Sequence, residues 1–177
     1  MKHLPLIFIV CLVACTSSRN QLKKETDDIL KRANQSFFQK VDSNLMDSAY
    51  TSVENFVTRF PNDSVSPAYL FEKALLYEKQ SKFPQTMLTL ERIYSKYPSS
   101  KQASKAIFLE GFLYANVLRQ YEKAKEKYNL YLDKYSSVDP KMTNDVKTEL
   151  ENLGKTPDQI LEELEKKGRF DTVQAPS

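Results

Sequence analysis

Tyr121-Glu122-Lys123-Ala124-Lys125-Glu126-Lys127-Tyr128-Asn129-Leu130-Tyr131-Leu132-Asp133-Lys134-Tyr135 sets an apolar or aromatic residue at steps of three, four, three and four: Tyr121, Ala124, Tyr128, Tyr131 and Tyr135. That is the period of an α-helix and not of a strand, whose side chains alternate every second residue. Lys and Glu fill the remaining faces, so the helix is amphipathic and needs a neighbour over its apolar stripe. The same period recurs upstream in Met87, Leu90, Tyr94 and Tyr97, and in Phe71, Ala74, Leu75 and Tyr77, which predict a helix from about Pro67 to Gln80. After residue 22 there is no run of strand alternation, and the fold class is all-α.

The punctuation agrees. Ser66-Pro67 and Asp139-Pro140 each set a capping side chain before a first-turn Pro, and Thr156-Pro157-Asp158-Gln159 reads as a capping box. Phe60-Pro61 and Tyr97-Pro98 end helices, because the residue before Pro is pushed out of the α region. Pro84 fits a helix start, and Gly154 fits the end of a helix carrying Val146, Leu150 and Leu153.

The helix endings repeat. Val57-Thr58-Arg59-Phe60-Pro61, Tyr94-Ser95-Lys96-Tyr97-Pro98 and Leu132-Asp133-Lys134-Tyr135-Ser136 close three units. Their aromatics lie 37 and 38 residues apart. Ala74-Leu75-Leu76-Tyr77 matches Gly111-Phe112-Leu113-Tyr114 at 37, and Phe83 matches Tyr121 at 38. Self-similar helix pairs at ~34–40 residues mark a solenoid. These residues resemble the tetratricopeptide repeat. Ala74 and Gly111 stand at its first small position, Tyr77 and Tyr114 at the following aromatic, Ala124 at the second small position (Thr86 in the preceding unit), and Pro61 and Pro98 at the closing proline. The resemblance implies a right-handed solenoid of antiparallel helix pairs over residues 23–167. Its units are about 24–61, 62–98 and 99–136, with capping helices in 140–167 and a frayed tail at 168–177. The earliest unit is the most degenerate, with Ala33, Phe37 and Phe38 in its first helix.

Met1-Lys2-His3 is a short basic start, and Leu4 to Ala14 is apolar apart from Pro5. That run is shorter than the ~20 apolar residues of a membrane span and reads as the core of a secretory signal peptide, residues 1–14. Leu12-Val13-Ala14-Cys15 resembles the lipobox of bacterial lipoproteins. The resemblance implies cleavage before Cys15 and a diacylglycerol on its sulfur, with the freed amine acylated. Residues 15–22, from the lipidated Cys through Thr16-Ser17-Ser18-Arg19-Asn20, read as a polar tether. In lipoproteins of this kind an Asp after the Cys signals inner-membrane retention. Thr16 therefore implies the outer membrane, and the absence of acid before Glu25 implies its periplasmic face.

The 177 residues, 41% hydrophobic with Gly 3, Pro 8 and no Trp, fit one globular domain. A net charge of +3 implies no nucleic-acid partner. His3 and Cys11 leave with the signal and Cys15 is lipidated. The processed chain therefore holds no thiol or imidazole for catalysis or metal binding, and no metal or other cofactor is expected. Glycines at 111, 154 and 168 build no phosphate loop. The chain reads as a non-enzyme. Lys23-Lys24 stand near the tether, where anionic lipid would be.

The lipobox together with the aromatic-Pro endings is similar to the family of outer-membrane assembly component D and to the periplasmic repeat domain of cell-division coordinators. That resemblance implies an adaptor that scaffolds envelope proteins, with β-barrel assembly components among the candidates. First helices build most of a solenoid's concave surface, which makes Tyr69, Glu72, Lys73, Glu110, Asn116 and Arg119 the candidate partner groove. Two other readings stay open: a self-associating structural lipoprotein, and a module that binds peptidoglycan through its tyrosines.

Overall fold

The computed structural model describes residues 4–36 and 42–166, with side chains from Ser18 onward. Met1-Lys2-His3, Phe37, Phe38, the Cys15 side chain and the expected tail at 168–177 lie outside the described residues. Among these residues the chain is all helix: α1 (Leu4–Ser36), α2 (Ser43–Arg59), α3 (Ser66–Lys79), α4 (Phe83–Lys96), α5 (Lys101–Phe112), a π-helical turn (Leu113–Val117), α6 (Tyr121–Tyr135), α7 (Pro140–Asn152) and α8 (Pro157–Lys166). The chain divides into two compact units, residues 1–106 and 107–177, with the division inside α5.

In the first unit α1 packs on α2, α2 on α3 and α3 on α4, and α1 also touches α3. Its core is Leu22, Leu30 and Ala33 of α1, Met46, Ala49, Val53, Phe56 and Val57 of α2, Leu70, Ala74 and Leu76 of α3, and Leu90 and Ile93 of α4. Each fully buried Leu, Ile, Phe or Val stabilises by roughly 1.5–3 kcal/mol. In the second unit α6 packs on α7 and on the π turn, burying Ile107, Leu113, Ala124, Tyr128, Tyr131 and Val146. The expected stripe of α6 is its buried stripe apart from Tyr121, but the expected stripes of α3 and α4 are not: of these only Ala74 and Leu90 are buried, and the core sides are Leu70, Lys73, Ala74 and Leu76 in α3 and Thr86, Thr89, Leu90 and Ile93 in α4, because each helix turns its neighbouring face to its partner. Val53, Leu90 and Tyr128 share one repeat position, Phe56, Ile93 and Tyr131 a second, and Ala49, Thr86 and Ala124 a third; all nine are sealed from solvent.

The connections repeat as closely as the helices. Phe60 and Tyr97, each before a Pro, leave the α region at φ −130 with ψ 60 and 52, and each donates its N–H to the carbonyl four residues back at 2.8 Å. The next turns also match. Asp63 N–H bonds to Phe60 and Ser66 N–H to Asp63; 37 residues later Ser100 bonds to Tyr97 and Ala103 to Ser100. Tyr135 has Ser136 after it instead of Pro and stays helical. The turns inside the helix pairs place Ser81 at φ 57 and Arg119 at φ 54. These two residues lie 38 apart.

The one-residue difference between the spacings 37 and 38 has a structural cause. In the first unit the Lys82 N–H bonds the Tyr77 carbonyl, closing the turn after five residues; in the second the Gln120 N–H bonds the Tyr114 carbonyl, after six. The extra residue is taken up by the π turn, where Leu118 N–H reaches back five residues to Leu113. An inserted residue inside a helix is the usual origin of such a bulge.

The sequence expectations at the helix ends meet different outcomes. Residues 16–22 are not an irregular tether: they are helical within α1, Leu22 is buried, and Arg19 grips Asp63 through Nε at 2.6 Å and Nη2 at 3.0 Å. No apolar period begins there before Leu22; the polar stretch is held by the bonds of Arg19 to Asp63 and of Arg59 to Ser18, with partners more than 40 residues away. Ser66 is the first helical residue of α3 and not its cap; its hydroxyl donates to the Phe60 carbonyl at 2.7 Å. Asp139 and Thr156 cap as expected. Asp139 accepts from Met142 N–H, and Thr156 and Gln159 exchange bonds at 2.8 and 3.3 Å. Gly154 follows α7 at φ +77, the left-handed conformation a helix end favours in Gly.

Candidate interaction surfaces

The six groove candidates fall into two groups. Tyr69, Lys73 and Glu110 are buried, and each is partnered within the chain. The Tyr69 hydroxyl donates to Asp27 Oδ1 at 2.6 Å, and its ring meets Phe56 edge-on at 4.9 Å. Burial, with Asp27 beside it, raises that phenol above its ordinary range. Lys73 is only 8% exposed and pairs with Glu54 at 2.7 Å. Glu54 also takes Arg92 Nη1 at 2.8 Å on both oxygens. Burial opposes the Glu54 charge, but the bonds from Arg92 and Lys73 outweigh it and hold the carboxyl below its ordinary value. Glu110, 3% exposed, pairs with Lys127 at 3.1 Å. Lys73 and Glu110 occupy the same repeat position 37 apart, so this is a site of internal charge pairing. Glu72 is half-buried and accepts from Asn34 at 3.2 Å.

Asn116 and Arg119 are exposed and share a concavity. They line a cavity of about 200 Å³ in the second unit with Tyr121, Glu149, Asn152 and Lys155. The positive φ of Arg119 belongs to the turn and not to this cavity, since Ser81 shows it in the preceding unit. Lys155 is paired with Glu163 at 2.6 Å.

A second, larger hollow of about 450 Å³ lies beside it. Phe108, Leu109 and Phe112 of α5 form its apolar side, and Asp145, Thr148 and Glu149 of α7 its polar side. Phe112 is 38% exposed, and Phe108 lies against Tyr128 with ring centroids 6.3 Å apart. Glu149 borders both hollows and accepts from the Tyr128 hydroxyl at 3.3 Å. The expectation that first helices build the surface led to α5 but to Glu110 instead of its neighbours. Phe108 and Phe112 stand four apart, off the stripe of Ala103, Ala106, Ile107, Glu110 and Gly111. Two aromatics sharing a face outside the buried stripe were the available signal.

The repeat-defining residues have structural work. Ala74, Gly111 and Ala124 are buried, and a Cβ on Gly111 would come within 2.7 Å of the Tyr128 ring. Tyr77 stacks on Tyr50 at 4.1 Å and 27°. Burial, then Tyr77 and Asp47, push the Tyr50 phenol up to about 12. Tyr114 lies under Lys123 at 5.4 Å. Pro98 borders a shallow hollow between the loops at 61–65 and 97–100.

No described helix is long and apolar enough to cross a membrane, and the described residues hold no cluster of three or more His, Cys, Asp or Glu placed for a metal. No family model, no curated protein and no solved structure matches the chain.

Proposed function

We propose that the chain is a periplasm-facing adaptor lipoprotein, anchored in the outer membrane through Cys15 and built as a tetratricopeptide-like right-handed solenoid. The lipobox Leu12-Val13-Ala14-Cys15 supports the anchor. The matching loops and turns at spacings of 37 and 38 support the repeat reading. The observation that carries the adaptor role is the hollow between α5 and α7, with Phe112 left open on one side and Asp145 and Glu149 on the other. An aromatic floor beside two carboxylates suits a partner segment that inserts an apolar side chain and carries Lys or Arg next to it. Envelope proteins in β-barrel assembly or cell-wall maintenance are the partners this compartment offers.

In-cell crosslinking of the full-length lipidated protein, followed by mass spectrometry, tests this reading. Capture of an envelope protein that falls at least ~10-fold for Phe112→Ala, with helicity unchanged, is the expected result; truncating an interface anchor of this kind typically costs more than ~1–2 kcal/mol. Cys15→Ser is the unanchored control. Equal capture by Phe112→Ala would refute the hollow as the contact surface. Recovery of the chain alone would favour self-association.

A further inference from the structure

Five structural facts gather at one end of the first unit. Arg19 holds Asp63 through two bonds, at 2.6 and 3.0 Å, and Arg59 Nη2 donates to Ser18 at 2.9 Å. The middle of α1, at Ser18 and Arg19, is thereby fixed to the end of α2 and to the loop that follows it. That loop lies beside the loop at 97–100, since Asn62, Asp63 and Pro67 line one hollow with Lys96, Tyr97 and Pro98. The charged residues in 18–20, 58–66 and 95–102 are Arg19, Arg59, Lys96, Lys101 and Asp63: four cations against one carboxylate, which Arg19 already holds. Arg59, Lys96 and Lys101 are exposed. The opposite end is mixed, with Asp42, Asp47 and Glu78 among its cations.

We infer that this end of the first unit lies directly on the bilayer, as a cationic face against anionic phospholipid, with the repeat domain held upright on α1 instead of swinging on a tether. The inference rests on the lipidation of Cys15. Only three residues separate Cys15 from Arg19. Along a helix those four steps advance about 6 Å, which is roughly the depth of one headgroup layer. A lipid on Cys15 therefore leaves the braced loops at headgroup level, within the ~10 Å over which charges act at 0.1 M salt. The acyl chains supply the hold and the cations supply the orientation. Each Lys or Arg near an anionic surface contributes about five-fold to partition.

The test uses the full-length lipidated protein in phosphatidylcholine vesicles with and without phosphatidylglycerol. After processing and lipidation the chain has no other thiol, so Ser99→Cys and Gln85→Cys each take a single fluorophore. Gln85 lies about 17 Å farther along α4 than Lys96 at 1.5 Å per residue. With a nitroxide-headgroup lipid, quenching at 99 should exceed quenching at 85 by at least about three-fold in anionic vesicles, given a headgroup layer only several Å deep. Lys96→Glu with Lys101→Glu, two exposed positions at helix ends, should remove most of that difference while leaving helicity intact. Equal quenching at both positions in the lipidated protein overturns the upright placement. An undiminished difference in the double variant overturns the cationic face. Absence of the lipid mass on the Cys15 peptide overturns the anchor, and the inference with it, before any quenching is measured.

Discussion

Gly111 is the residue where the two repeat units trade volume. Its missing Cβ is what lets the Tyr128 ring approach, and an added methyl would sit 2.7 Å from Cε1 of a ring that is sealed from solvent. In the preceding unit Ala74 stands where Gly111 does, and Leu90 stands where Tyr128 does. The smaller partner accompanies the larger small residue. Gly111→Ala alone should therefore destabilise the chain by about 1–3 kcal/mol, the usual cost of overpacking. Adding Tyr128→Leu should recover part of that loss, a non-additivity that a double-mutant cycle by urea unfolding would expose. If the double variant shows the plain sum of the single effects, the trade between the positions is absent. Tyr69 shows the converse lesson. An aromatic on a first helix has the right chemistry for a groove, but its hydroxyl is engaged by Asp27 and its ring by Phe56.

At the scale of elements, the π turn at 113–117 accounts for a spacing that the sequence leaves irregular. Tyr114 and Tyr121 are seven apart where Tyr77 and Phe83 are six, and the surplus residue enters the helix end instead of lengthening the loop. Deleting Asn116, which is exposed, would restore the shorter count and turn the bulge into an ordinary helical end. The expected cost is small, since the bulge is a single surplus residue at a helix end. Deleting Glu78 from the unbulged turn shifts every residue after it out of register and should cost clearly more. Urea midpoints of the two deletions decide it, and equal losses would refute the insertion account. The closing helix is set by its own cap, with Thr156 and Gln159 bonding each other's N–H groups.

Taken whole, the molecule ties part of its stability to pH through its ion pairs. Asp27, Glu54 and Asp63, all in the first unit, are carboxyls held below their ordinary values. For Asp63 the chief cause is the hydrogen bond from Arg19; for Glu54 and Asp27, hydrogen bonds outweigh an opposing burial. A lowered folded pKa means that the unfolded chain binds protons first as pH falls. The stabilisation is thus complete above the ordinary values of 3.8 and 4.5, and it is lost as pH drops through the depressed ones. Acid should loosen residues 18–106. Hydrogen exchange followed from pH 6 to about pH 3, corrected for its intrinsic pH dependence, reads this directly, and Glu54→Gln should flatten the response in the first unit. Unchanged protection of residues 18–106 down to about pH 3, or an undiminished response in Glu54→Gln, would contradict it.

The sequence by itself determined the helices, the buried stripe of α6, most of the helix ends and the repeat of 37 to 38 residues. Those features follow from local rules: the 3.6-residue period, proline's steric effect on its predecessor, and capping side chains that reach their own backbone. Tertiary structure decided the rest. It decided that Tyr69, Lys73 and Glu110 face inward, because partners such as Asp27, Glu54 and Lys127 lie 17 to 42 residues away in sequence. It decided that Phe108 and Phe112 stay open beside Asp145 and Glu149, and that the polar run after Cys15 is helix braced by Asp63. Composition registers polarity but not whether a distant residue satisfies it, and only the folded packing brings those distant groups within bonding distance.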